Sequence, residues 1–453
     1  MPTFNIDSVD STGKAIAHSD GMVVFVDKGI PGQKIEGEII KKKKTYMEVK
    51  SLQVIEESPD AVEAPCAWFG SCGGCVWQNL AYEKQLEYKQ KIVCDALERI
   101  GKLDVKKIVL PIKPSQSPWY YRNRVDLSFG LNDAGETDLG FRRKGSFTGV
   151  LPVDQCHIFS EKFPEIIAAV RTWTRETRMD YFDLKKSPVG FFQYCIMRRS
   201  EAEGSWMFHF ITRKGPFPFL ARLTVLLDEA MGGTPYSIFH TQNMGGSSCS
   251  DRVAQKTKCL CGKGALTEKL GGLHFSLSPF SFFQTNTKGA EVLYDAVTEF
   301  LDVKKGMKIL DLYCGTGTIG QYVAVGKKVE LIGIDIVPDA IEDAKENAEQ
   351  NGVSAEYFCG NAEIVLQVQA DKLQNVDGVL VDPPRAGLTN QALMSVIEIG
   401  ASKVIYVSCN PATFARDMLF IHEHSKYKVK NIQPVDMFPQ TAHVELVAEF
   451  ELK

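Results

Sequence analysis

Short runs in which apolar and polar positions alternate open the chain. Residues 21–26, 33–40 and 45–50 each read apolar-in, polar-out, with Gly29, Pro31 and Gly32 supplying turns between them. Strands this short and this closely spaced predict a small β-barrel over residues 1–58, left through an acidic linker at 56–60. The period then changes. Leu86, Ile92, Val93, Ala96, Leu97 and Ile100 recur at helical spacing from Tyr82 onward, and Gly101 follows as a stop signal. Residues 120–260 read as mixed strands and helices, with a glycine-rich loop over 231–246.

From about residue 270 apolar runs alternate with helical segments. Strands are predicted at 308–312, 330–334, 356–358, 378–381 and 404–407, with helices over 338–350 and 390–399 between them. Residues 427–435 and 444–450 close the chain as two strands with no helix between. This order predicts a doubly wound α/β sheet with an antiparallel edge. Three regions follow: a barrel at 1–58, a central α+β region at 59–268 and an α/β region at 269–453.

Composition narrows the classes. A chain of 453 residues exceeds one typical domain. No stretch approaches the roughly 18 apolar residues of a membrane span, and the polar N-terminus lacks a secretory apolar core, so a cytoplasmic protein away from membranes is expected. A net charge of −4 argues mildly against a non-specific nucleic-acid binder. The runs Lys41–Lys44, Arg122 with Arg124, Arg142–Lys144 and Arg198–Arg199 each read as solvated faces unless several converge. Twelve cysteines without an export signal fit a reducing compartment, where thiols serve metals or catalysis.

Two places carry candidate chemistry. Asp311–Gly320 is a strand end followed by a glycine-rich loop, in which Gly315, Gly317 and Gly320 permit a tight turn and close approach of a ligand. Asp335 ends the next strand, about 20 residues on, where an acid suits ribose hydroxyls. Asp311 opens the loop instead of sitting within it, and the dinucleotide and Gly-Lys-Ser/Thr phosphate-loop spacings are both missing. A sulfonium cofactor with an amino-acid tail, S-adenosylmethionine, fits better than a pyrophosphate. An ordinary strand–turn–helix corner is the bland alternative.

The second place is Cys409, in Val407–Pro411 at the end of a buried strand, where open α/β sheets hold their ligands. A cysteine there is usually an apolar filler. Beside a methyl donor it can instead add to C6 of a uracil and make C5 nucleophilic. A carboxylate must then remove the C5 proton, and Glu445, in an otherwise apolar strand, is the candidate base; a solvent-facing strand position is its plain alternative. Asp382, held by Pro383 and Pro384, could meet the imide edge of a pyrimidine or the cofactor. Gln284 offers a donor and an acceptor to a base edge or a cofactor carboxylate. A uracil in folded RNA must be flipped out to be attacked.

Away from the sheet, Cys66, Cys72 and Cys75 lie close together among glycines, and Cys156 is the best-placed fourth ligand. Four thiolates suit zinc or an iron–sulfur cluster. Cys249, Cys259 and Cys261 read as incidental thiols with zinc a minor alternative, and Cys94 and Cys195 as core.

Together these residues resemble the RNA uracil-C5 methyltransferases, particularly the iron–sulfur 23S ribosomal RNA enzymes, over nearly the whole chain. The resemblance implies an N-terminal TRAM (OB-like) RNA-binding barrel, a central iron–sulfur domain with a [4Fe-4S] cluster on Cys66, Cys72, Cys75 and Cys156, and a class I (Rossmann-like) S-adenosylmethionine-dependent domain. It implies Cys409 as nucleophile, Glu445 as base, and cofactor contacts at Gln284, Tyr313, Gly315, Asp335 and Asp382. The family's asparagine in the glycine loop is Thr318 here. The expected substrate is a uridine of 23S RNA and the expected state a monomer. Transfer RNA is the alternative substrate, and an inactive RNA-binding iron–sulfur sensor the alternative class; intact Cys409, Glu445 and Asp335 speak against the sensor.

Overall fold

The computed structural model describes the chain except residues 145, 147–148, 184–186 and 244–255. Strands β1 (Thr3–Val9), β2 (Ala15–Ser19), β3 (Met22–Val26), β4 (Lys34–Lys42) and β5 (Tyr46–Glu56) close into a barrel in the order β1-β2-β3-β5-β4. Alternate side chains fill it, among them Phe4, Ile6, Ala15, Ala17, Val24, Val26, Ile35, Met47 and Val49. The expected barrel is present, with two strands the pattern did not separate. β1 intersperses Asn5, Asp7 and Ser8 with its apolar positions, which hides it as a polar segment. Lys41–Lys44 sit exposed at the tip of the β4–β5 hairpin.

Helix α1 (Tyr82–Arg99) follows, ending one residue short of Ile100. Trp77, Leu80 and Ile92 form a buried cluster with Ile30 of the barrel and Ala442 near the C-terminus.

The central region carries β6 (Arg124–Leu131), β7 (Thr137–Arg142), β8 (Val150–Leu151), α2 (Phe163–Thr177), β9 (Phe192–Arg199), β10 (Trp206–Thr212), α3 (Leu220–Met231), β11 (Tyr236–Gln242) and β12 (Lys256–Cys261). Among the described residues its sheet runs β12-β11-β10-β9-β6-β7-β8. Helices α2 and α3 cover one face through Phe163, Ile166, Trp173, Leu223 and Leu227. Two expectations are corrected here. Residues 236–242 are a strand; glycines flank this run of aromatic and β-branched residues but do not interrupt it. Arg198 and Arg199 are not a solvated face: Arg198 is buried and donates to Ser281 O, and Arg199 donates to Tyr120 O and Arg122 O. Cys195 is fully buried, as expected of a core thiol. A hairpin, β13 (Leu266–Leu270) and β14 (Leu273–Leu277), ends the region.

The last part alternates α4 (Thr287–Leu301), β15 (Lys308–Leu312), α5 (Thr318–Ala324), β16 (Glu330–Asp335), α6 (Pro338–Gln350), β17 (Ala355–Cys359), α7 (Ala362–Val368), β18 (Gly378–Val381), α8 (Asn390–Ile399), β19 (Lys403–Ser408), α9 (Pro411–His424), β20 (Tyr427–Val435) and β21 (Glu445–Leu452). The sheet order is β17-β16-β15-β18-β19-β21-β20, parallel through β19 and antiparallel beyond. This is the doubly wound, Rossmann-like sheet the pattern predicted. Local chemistry starts its helices: Asn361, Thr389 and Asn410 cap α7, α8 and α9 through their side chains, and Pro338 and Pro411 open α6 and α9.

By contact density the chain forms two compact units. One comprises 1–65, 75–118 and 288–453, so barrel, α1 and α/β sheet belong together; the other comprises 66–74 and 119–287. No helix among the described residues is long and apolar enough to cross a membrane.

Candidate active site

The C-terminal edge of the α/β sheet gathers most of the residues singled out above. Beyond β15 the chain turns through left-handed conformations at Tyr313 (φ +64°), Gly315 (φ +55°) and Gly317 (φ +77°). A Cβ at Gly317 would come within 2.7 Å of Tyr357 Oη and Gln321 Nε2, so glycine is required there on steric and torsional grounds. Asp335 at the end of β16 holds the loop open: its carboxylate accepts N–H from Gly315 at 2.9 Å and from Val337 at 2.8 Å. Its remaining lone pairs stay available to ribose hydroxyls. Beside it Ile336 is 64% exposed, an apolar platform at the ligand edge of the sheet. Thr318, at the start of α5, lies 3.2 Å from the Tyr294 hydroxyl. Tyr313 is half-buried, which pushes its phenol up to about 12.

Asp311 does not line the loop. It is buried beneath it and accepts the Gly320 N–H at 3.0 Å. Burial pushes its carboxyl up to about 8 against that hydrogen bond, with Asp382 and Asp335 adding to the rise. Its part is to tie strand β15 to helix α5.

The candidate reactive centre lies two strands away. β19 pairs with β21 antiparallel, with Ser408 opposite Leu446. Cys409 follows the last paired residue of β19 and Glu445 precedes its partner on β21, close enough that the Glu445 charge acts on the thiol. Asp382 follows β18, the parallel neighbour of β19. Three acidic groups therefore sit together with their protons held tightly. Burial pushes Glu445 up to about 8, the Asp382 charge raising it further and Arg385 lowering it. Burial brings Asp382 to about 7. Burial and then the Glu445 charge push the Cys409 thiol up to about 11, while Arg385 opposes them. Glu445 is 5% exposed, so it does not occupy a solvent-facing strand position. Both groups thus favour their protonated forms at neutral pH, so addition by the thiol and proton removal by the carboxylate each require that proton to leave first.

Sequence reasoning passed over Arg385 and His443. The Arg385 guanidinium lies 3.0 Å from His443 Nδ1, and its carbonyl accepts from Asn410 Nδ2 at 3.1 Å, which links the Asp382 loop to the Cys409 turn. Arg385 immediately follows Asp382, Pro383 and Pro384. As the cation facing Glu445 and Cys409, it was the signal available there.

The remaining predicted residues belong to the second unit or to its boundary. Gln284 lies in an extended segment fixed by Asn123, whose Nδ2 donates to Gln284 O at 2.9 Å. Cys66 and Cys72 are near enough to interact electrostatically. The Trp68 indole donates to Asp154 at 3.1 Å and so ties the Cys66–Cys72 loop to the segment of Cys156. Cys75 begins the stretch that belongs to the first unit. Among the described residues no group of three or more His, Cys, Asp or Glu side chains is arranged to hold a metal ion. Cys72 and Cys156 instead pack against the apolar core of the second unit, and burial raises the Cys72 thiol. Cys259 is exposed on β12, and Cys249 lies outside the described residues.

The methyltransferase-domain family model matches residues 303–443. An uncharacterized RNA methyltransferase of Caldanaerobacter subterraneus is 39% identical, covering 99% of this chain and 98% of its own. One from Clostridium tetani is 36% identical, covering 99% and 97%. Among solved structures, the tRNA (uracil-54, C5)-methyltransferase of Pyrococcus abyssi, in complex with S-adenosyl-L-homocysteine, is 30% identical with a TM-score of 0.78, covering 99% of this chain and all of that one.

Proposed function

Since the chain belongs to the RNA methyltransferases, we propose that it methylates C5 of a uridine in 23S ribosomal RNA, with S-adenosylmethionine as methyl donor. The observation that carries this reading is the closeness of Cys409 to Glu445, whose charge acts on the thiol where the β19–β21 pairing ends at Ser408 opposite Leu446. The Cys409 thiolate adds to C6 of a flipped-out uracil, and the ring becomes an enolate with carbon-nucleophilic C5. S-adenosylmethionine, when bound, supplies the electrophilic methyl that C5 takes up. Glu445 then removes the C5 proton, the double bond reforms, and Cys409 leaves as thiolate. Arg385 opposes the high proton affinity of both groups.

For the donor, Tyr313, Gly315 and Thr318 form the loop, Asp335 takes the ribose, and Asp382 and Gln284 meet the remaining polar groups. The barrel at 1–58, with its exposed lysine tip, is the RNA-holding domain, 59–268 the central domain and 269–453 the methyltransferase domain. Cys66, Cys72, Cys75 and Cys156 have the donor chemistry of a [4Fe-4S] cluster, which would staple the central domain and take no part in methyl transfer. The Trp68–Asp154 bond supports this set. Transfer RNA is a second reading, favoured by the full-length likeness to the P. abyssi enzyme.

The test is incubation with labelled S-adenosylmethionine and separate unmodified 23S and transfer RNA transcripts, followed by mapping of 5-methyluridine. Label in 23S RNA that vanishes with Cys409→Ala is expected. Label in transfer RNA alone would retain the chemistry and reverse the substrate. Donor binding without label in either RNA would overturn the reading.

A further inference from the structure

Helix α1 presents an apolar stripe, yet one of its fully buried side chains is a lysine. The Lys89 ammonium meets Asp436 Oδ1 at 2.5 Å and Phe438 O at 2.9 Å. One turn and more upstream, Gln85 donates to Gln440 Oε1 at 3.0 Å and accepts the Gln440 N–H at 2.9 Å. At the head of the helix, the Tyr82 hydroxyl donates to Asp436 Oδ2 at 2.9 Å and accepts the Ser115 N–H at 2.8 Å. Positions 82, 85 and 89 share one helix face. All three reach a single segment, residues 436–443, which joins β20 to β21.

Among the described residues no strand pairs with that segment, and its backbone polar groups need partners once buried. Gln440 sits at φ +67°, and its carbonyl accepts from both Val76 N and Trp77 N. The Thr441 hydroxyl donates to Phe438 O at 2.7 Å and accepts the His443 N–H at 3.2 Å. Apolar side chains could bury the same volume without a charged pair, so the polar clamp adds conformational uniqueness more than stability. What it makes unique is the approach to Glu445, two residues beyond His443.

We infer that Tyr82, Gln85 and Lys89 are positioning residues for proton abstraction: they fix segment 436–443 so that the Glu445 carboxylate stands at C5 of the methylated adduct. The inference rests on the roles proposed above for Cys409 and Glu445. In this step the carboxylate takes the C5 proton. The C–H electron pair becomes the C5–C6 double bond, and the C6–S bond breaks with its pair on Cys409. Loosening the segment slows this step and leaves thiol addition and methyl uptake nearly untouched, because neither uses Glu445 as a base.

The measurement compares the covalent protein–RNA adduct on denaturing gels with released methylated RNA. It uses labelled S-adenosylmethionine and whichever transcript takes label in the assay above. In Tyr82→Phe, which keeps the ring and loses both hydrogen bonds of the hydroxyl, the adduct-to-product ratio rises about tenfold while adduct forms within about twofold of the normal rate. Lys89→Met shows a larger rise if it folds; Tyr82→Phe decides the matter if it does not. An unchanged ratio in Tyr82→Phe, whatever its turnover, overturns the inference. Glu445→Gln is the reference: if it accumulates adduct and Tyr82→Phe does not, only the inference falls. If Glu445→Gln gives no adduct, the reading of Glu445 falls, and the inference with it.

Discussion

Glu445 must lose a proton before it can accept one from the substrate. With its carboxyl pushed up to about 8, most of it is protonated at neutral pH. The rate of adduct resolution should therefore climb with pH and level off above about 8, the group titrating jointly with Asp382. Arg385 lowers the proton affinity of Glu445 and of Cys409 alike. Its replacement in Arg385→Gln should move the rising limb to higher pH and slow thiol addition at neutral pH. Single-turnover pH profiles check this; a limb that stays in place would show that another group governs the step. Cys409 could be singled out from the chain because a thiol at a strand end past a glycine loop is a local pattern. The proton affinity of Glu445 was not, because it arises from burial and the Asp382 carboxylate, against the opposing Arg385 guanidinium, groups brought together only by the sheet.

At the scale of elements, the glycine loop depends on backbone conformations that most residues avoid. Gly317→Ala combines a positive φ with a Cβ at 2.7 Å from two buried polar atoms. A loss of about 1–3 kcal/mol in stability is expected, along with weaker S-adenosylmethionine binding by calorimetry; wild-type binding would remove the loop from the donor site. Helices α6 and α8 were readable to the residue because proline or a capping threonine marks their starts. The polar face of α1 was not, since Lys89 and Asp436 lie 347 positions apart and each alone reads as a surface charge. The final strands were visible, but not that β21 inserts between β19 and β20. Strands consecutive in sequence usually sit side by side, and only the order found in the sheet brings Glu445 to Cys409.

At the scale of the molecule, the barrel is more than a tethered module. Ile30 buries itself among Trp77, Leu80, Ile92 and Ala442. The barrel turn at Gly13 is packed so closely on Val76 and Ala442 that a Cβ there would lie 2.8 and 3.1 Å from their side chains. Removing residues 1–58 should therefore destabilise what remains, by about 1.5–3 kcal/mol for each large apolar side chain left uncovered. A lowered melting temperature checks this; an unchanged one would mean the barrel stands apart. Composition and periodicity identified a barrel and an α/β sheet, but a shared buried cluster between them has no local signature. The same limit applies to the four cysteines, whose spacing is visible in the chain and whose mutual arrangement is not.

The pairing of β19 with β21 also makes chain length a chemical variable. Side chains on a strand alternate between faces, so deleting one residue of β21 between Leu446 and Phe450, with the rest of the strand keeping its partners, would move Val444 into the place of Glu445 and turn the carboxylate to the far side. A frame-preserving codon loss well away from the reactive atoms would then abolish turnover as completely as removing the base, while leaving every catalytic residue in the sequence.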